Sequence, residues 1–208
     1  MAAKPAFDNV LFVLDCSASM EKIVDRNRTR MMLSKDTIKQ IVESLPPTTQ
    51  CGLRVFGERA PEHMNEQDRN STELVTPFNT NHELLFLKLK KMEPSGLSNS
   101  TQALFKALSE DLPDQADTTS AVVLFMGGPD INQGSVGQVT KRFLRPGVTL
   151  FFVCLLKSPA SATLRELTAV VKDIPETRLY NLNSVKSFPA DFKTWETHRH
   201  NEGGPAFN

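Results

Sequence analysis

The sequence predicts a doubly wound α/β fold, and two observations carry that prediction. Asn9 to Leu14 (NVLFVL), Ser120 to Met126 (SAVVLFM) and Val148 to Leu155 (VTLFFVCL) are continuous apolar runs of strand length, the pattern of parallel strands buried on both faces. Between such runs lie segments whose apolar residues recur at helical spacing, so strand and helix alternate along the chain. Long apolar strands alternating with helices imply a mostly parallel sheet covered on both faces.

The first run is the expected central strand, and it ends in Asp15. From Thr29 to Leu45, residues Met31, Met32, Ile38, Ile41, Val42 and Leu45 mark the first crossover helix, which Pro46-Pro47 closes because proline cannot continue a helix. Gln50 to Phe56 reads as a second strand. Glu73 to Thr76, closed by Pro77, reads as a short edge strand, reached through a polar loop from Gly57 to Thr72 that is expected to be mobile. Helical spacing returns over Glu83 to Met92 and Asn99 to Leu108, with the turn Glu93-Pro-Ser-Gly-Leu-Ser98 between them. The strands at 120–126 and 148–155 are each followed by a helix, Val136 to Leu144 and Ala162 to Val171. A last strand near Arg178 to Tyr180 and a helix near Ser187 to Trp195 complete the series. The expected division is an extension over 1–8, one domain over 9–196, and a polar, disordered tail over 197–208. In such sheets ligands bind outside the carboxyl ends of the strands where the strand order reverses. Asp15 and Gly127 stand there.

Composition removes several functional classes. The 208 residues hold 24 Lys plus Arg against 24 Asp plus Glu, so no overall field draws the chain to nucleic acid or an anionic membrane. No run approaches the roughly 18 apolar residues of a membrane span, and the first residues lack a secretory signal. Cys16, Cys51 and Cys154 are odd in number and widely spaced, which suits neither a disulfide framework nor a zinc site. A cytoplasmic protein, or an excised soluble domain of a larger one, is expected.

The chemistry gathers after the first strand, in Asp15-Cys16-Ser17-Ala18-Ser19. One carboxylate and two hydroxyls make half of an octahedral shell for a hard divalent cation. This arrangement resembles the metal-dependent adhesion site of the von Willebrand factor type A family, in which an apolar strand precedes Asp-x-Ser-x-Ser. The family's second element, a Gly-x-Thr or Gly-x-Ser turn opening a helix, is matched by Gly96-Leu97-Ser98 ahead of Asn99 to Leu104. Ser98 takes the threonine's place, and Thr101 is the alternative hydroxyl. The third element is Thr-Asp-Gly after the fourth strand; here Met126-Gly127-Gly128-Pro129-Asp130 puts Gly127 at the aspartate position. Asp130 could substitute only if the turn redirects the loop. The segments Cys51 to Gly57 and Glu73 to Pro77 add softer likeness, so the resemblance covers almost all of residues 9–195.

The resemblance implies a Rossmann-like three-layer sandwich, with a mostly parallel six-stranded sheet and one antiparallel edge strand. It also implies a non-enzymatic protein-binding domain of the adhesion or adaptor type. Its site residues would be Asp15, Ser17, Ser19 and Ser98, with Asp130 and Thr101 as further candidates. The cation would be Mg2+, or else Mn2+ or Ca2+, and with one carboxylate it is expected to bind weakly or not at all. A carboxylate restored at position 127 is expected to tighten binding, provided the backbone there tolerates a side chain. Family members complete the metal's shell with an acidic residue of the partner, and the basic cluster Arg26-Asn-Arg-Thr-Arg30 would suit one.

Plainer readings stand beside these. The serines and Asp15 could cap helices, Cys16 could be a buried filler, and Arg26 to Arg30 could be a solvated helix start. A metal-independent scaffold with a vestigial site is the serious rival function. Phosphotransfer through Asp15 lacks the second acid, since Ser17 stands where phosphatases with Asp-x-Asp carry it. No phosphate-binding glycine motif occurs, and His63, His82, His198 and His200 lie in segments remote from the serines.

Overall fold

The computed structural model describes residues 6–58, 71–114, 117–128, 135–156, 158 and 161–198. Six strands make one sheet: β1 (Asn9–Asp15), β2 (Gln50–Phe56), β3 (Thr72–Asn79), β4 (Ser120–Met126), β5 (Val148–Cys154) and β6 (Thr177–Asn181). Their spatial order is β3-β2-β1-β4-β5-β6. All neighbours run parallel except β3, which is antiparallel to β2 at the edge. Among the described residues six α-helices connect or flank them: α1 (Arg30–Ser44), α2 (His82–Lys91), α3 (Ser100–Lys106), α4 (Val136–Phe143), α5 (Ala162–Asp173) and α6 (Phe188–His198). This is the doubly wound, three-layer α/β sandwich that the alternating runs predict.

The period of two in each strand divides the core. Val10, Phe12 and Leu14 of β1 join Ile38 and Ile41 of α1, Leu85 of α2, and Phe188 and Phe192 of α6 in one buried cluster. Leu11 and Val13 join Leu104 of α3, Val136 of α4 and Leu167 of α5 in the other. Every residue of β1, β4 and β5 is buried, which is why these runs are apolar throughout rather than alternating. Phe7, within the segment expected to precede the domain, is fully buried as well, meeting Phe151 edge to face and Phe192 at a tilt.

Three local outcomes differ from the sequence reading. β3 continues past Pro77 to Asn79, because an edge strand tolerates a missing N–H and the pairing shifts register between Leu53–Thr76 and Cys51–Asn79. The cluster after Asp25 is not a helix start but a hairpin, Ile23–Asp25 against Arg28–Thr29. Arg26 and Asn27 turn its corner at φ values of 37° and 69°, a conformation that asparagine tolerates better than most residues. Beyond Lys106, α3 passes into a π-helical stretch, Ala107–Asp111, longer than the predicted end at Leu108. The loop expected to be mobile and the polar tail fall largely outside the described residues, at 59–70 and 199–208.

Candidate functional site at the carboxyl ends of β1 and β4

β1 is flanked by β2 on one side and β4 on the other, so the chain winds away in opposite directions from their carboxyl ends and leaves a crevice there. Asp15, the last residue of β1, is fully buried in its floor. Its Oδ1 accepts from the Ser17 amide at 2.8 Å, and its Oδ2 accepts from the Gly127 amide at 2.9 Å and the Ser98 hydroxyl at 3.3 Å. The Ser17 and Ser19 hydroxyls lie 3.0 Å apart. Asp15, Ser17, Ser19 and Ser98, picked from two separate motifs, therefore meet. Burial raises the Asp15 pKa, and the donors from Ser17, Gly127 and Ser98 oppose that rise.

Backbone stitching brings Ser98 in. The Ser95 amide donates to Cys16 O at 2.9 Å, the Ala18 amide to Gly96 O at 2.9 Å, and the Gly96 amide to Gly57 O at 2.7 Å. Gly57 permits this approach: its φ is +74°, and a Cβ there would meet both Leu97 O and the Ser17 amide nitrogen at 2.8 Å. Asn99, not Ser98, caps α3, its side chain accepting from the Gln102 amide. Ser17 likewise makes no side-chain cap to the turn Ala18–Glu21. Helix capping thus accounts for neither serine. Thr101 is the half-buried second residue of α3, and it is Ser98 that donates to Asp15. Asp130 lies outside the described residues.

Two further residues complete the site, and the motifs did not point to either. Met20 is fully buried, and a Cβ at Gly127 would come within 2.2 Å of its Sδ and 3.1 Å of Ser19 Oγ. Its thioether fills the space into which a side chain at 127 would project. Arg30, the first residue of α1, is 5% exposed. Its Nη1 donates to Ser19 O at 3.1 Å and also to Gly127 O. Burial lowers its pKa, and the Asp15 charge counteracts that. The guanidinium thus joins the loop after β1 to the loop after β4. Thr29, at the end of the hairpin, aims it by capping α1 through the Met32 amide at 3.1 Å. The sequence sets Arg30 in a basic cluster near the mouth of the site, read either as a solvated helix start or as a surface for an acidic partner. The one signal available was a cation in the first helical turn, where the helix dipole disfavours it.

Cys16 is buried, and burial together with the Asp15 charge pushes its thiol pKa well up, so it is an inert filler rather than a nucleophile. The described ring among the histidines, His82, bonds Thr49 O at 3.0 Å, beside the amino end of β2 and away from the serines. Among the described residues no group of three or more His, Cys, Asp and Glu side chains converges, and no helix is long and apolar enough to cross a membrane.

Comparison with known proteins agrees with this geometry. A family model described as von Willebrand factor type A domain matches residues 10–129, more than half of the chain. No curated protein sequence matches. Among solved structures, the SpRpn10 VWA domain superposes with a TM-score of 0.67 at 15% identity, over 96% of this chain and 100% of that one. The PilB minor pilin from Streptococcus sanguinis gives 0.66 at 14% identity, over 98% of this chain and 64% of the pilin. Proximal thread matrix protein 1 from the mussel byssus, with a zinc-occupied MIDAS motif, gives 0.63 at 14% identity, over 90% of this chain. This chain spans just 46% of the mussel protein, and at such identities the likeness is one of fold. The matched residues, the strand order and the paired loops at Asp15 and Ser98 lead to one assignment: the chain belongs to the von Willebrand factor type A domain family.

Proposed function

We propose that this chain is a non-catalytic protein-binding domain whose partner docks on the loops at the carboxyl ends of β1 and β4. The observation that carries the reading is the condition of Asp15. It is wholly buried, with both carboxylate oxygens engaged by Ser17, Ser98 and Gly127. A nucleophile or general base must reach its substrate, whereas this carboxylate organises loops. Around it the surface offers binding chemistry: Ala18, Lys22 and Arg26 are exposed, and Ile23 and Met32 leave 58% and 48% of their surface open. An apolar anchor with an acidic neighbour on the partner would complement these groups.

The inherited set of Asp15, Ser17, Ser19 and Ser98 offers one carboxylate and three hydroxyls, a hard-oxygen set that would favour Mg2+ over softer ions. One carboxylate gives such an ion little hold, so partner recognition without a metal is the version we adopt. The three cysteines are free and buried, which fits a reducing compartment, and we place the domain there.

The test is affinity capture from extracts of the source cells, comparing wild type with Ala18→Arg and Ile23→Asp, each with and without EDTA. A partner retained by wild type in EDTA and lost from both variants supports the reading. Retention that neither variant changes puts docking elsewhere. Turnover of a phosphoester or ester that disappears in Asp15→Asn would make the protein an enzyme.

A further inference from the structure

We infer that Arg30 is the resident cation of this site, bridging the loops after β1 and β4 so that the site assembles without a metal ion. Four observations converge on it. The guanidinium donates to Ser19 O in one loop and to Gly127 O in the other, tying together the two loops whose side chains would ligate a divalent ion in this family. The side chain is buried at the start of a helix, where the dipole offers a cation no support, so its position answers to the site and not to α1. Its Nε has no hydrogen-bond partner among the described residues, a cost carried to deliver the charge. Finally, the second carboxylate is replaced by a glycine whose missing side chain is filled by Met20 Sδ.

The charges then settle which cation the site fits. Asp15 and Arg30 together are neutral, and both loops are already bridged. A divalent ion placed beside them would face one carboxylate and a fixed positive neighbour, so the residues present do not fit it. Restoring aspartate at position 127 does not by itself produce a metal site either, because the new side chain meets Met20 and the nearest cation is Arg30. The inference concerns charge within the crevice and holds whether or not a partner docks above it.

Mn2+ titration of the purified domain, followed by water-proton relaxation and thermal unfolding, tests this directly. Wild type is expected to show no saturable Mn2+ binding and no change of midpoint with Mn2+ or EDTA. Arg30→Ala is expected to lower the midpoint by several degrees. Low-millimolar Mn2+ or guanidinium should then restore part of the loss, while leaving wild type and the Arg30→Ala, Asp15→Asn pair unmoved. Saturable Mn2+ binding by wild type overturns the inference. So does an Arg30→Ala protein that neither cation rescues, since the side chain would then matter only as packing. Arg30→Gln, which keeps most of the stem and a donor, undergoes the same rescue if the alanine variant fails to fold, and the wild-type titration is decisive without any variant.

Discussion

Gly57 shows how a single residue can hold a functional site together without contributing a side chain to it. It ends β2 in a left-handed conformation, accepts the Gly96 amide, and lies so close to Ser17 and Leu97 that a Cβ would meet backbone atoms at 2.8 Å. Backbone cannot yield as a flexible side chain can. Gly57→Ala should therefore combine left-handed strain with overpacking, costing on the order of 3 kcal/mol in urea unfolding. The same change should loosen the loop that carries Ser98; unfolding within about 0.5 kcal/mol of wild type would show that the loop slides freely. At this scale the sequence was partly legible. Asp15, Ser17 and Ser19 could be found because they share one short loop, where spacing says which side chains converge, and Ser98 because the turn Gly96-Leu97-Ser98 resembles the family's second motif. Arg30 and Met20 could not, because their roles exist only once α1 and the turn after β1 are folded against the end of β4.

Between elements, the strongest polar tie lies on the opposite face from α1. Arg54 of β2 and Asp111 at the end of the π-helical stretch form a bidentate pair, at 2.5 Å and 2.7 Å, with side chains 6% and 4% exposed. A third bond, from Arg54 Nη1 to Thr72 Oγ1 at 3.2 Å, reaches the edge strand β3. Removing one partner leaves a buried charge, so Asp111→Ala should destabilise by about 3–5 kcal/mol. Arg54→Met combined with Asp111→Leu should recover most of that loss, because an apolar pair of similar volume escapes desolvation. A double variant no more stable than Asp111→Ala would mean that the pair fixes β3 in register as well as balancing charge. Element types were legible from periodicity because packing on two faces demands it. Their ends were less so: β3 passes Pro77 through a register shift, and the hairpin at Ile23–Thr29 rests on two positive φ values that no apolar pattern encodes.

For the whole molecule, a sheet covered on both faces leaves no thiol within reach of solvent. Cys16, Cys51 and Cys154 lie in the two core layers and are all buried. A thiol reagent at pH 8 should therefore leave the native protein unlabelled and find three groups after unfolding; rapid stoichiometric labelling of the folded state would show that one face opens. Burial also makes stability depend on alkaline pH. It pushes the Cys51 thiol from its ordinary 9.0 to about 12, so between those values the unfolded chain releases a proton that the folded chain keeps. The contribution is intact below pH 9 and is lost as pH rises toward 12. At pH 10.5 the loss from this one group amounts to about 2 kcal/mol. Unfolding free energies from urea titrations at pH 7, 9 and 10.5 should fall over the last step, and Cys51→Ala should flatten that fall while lowering stability at pH 7 through the lost packing. A slope unchanged by the substitution would assign the alkaline sensitivity to other groups whose pKa burial raises, Cys16 and Cys154 among them.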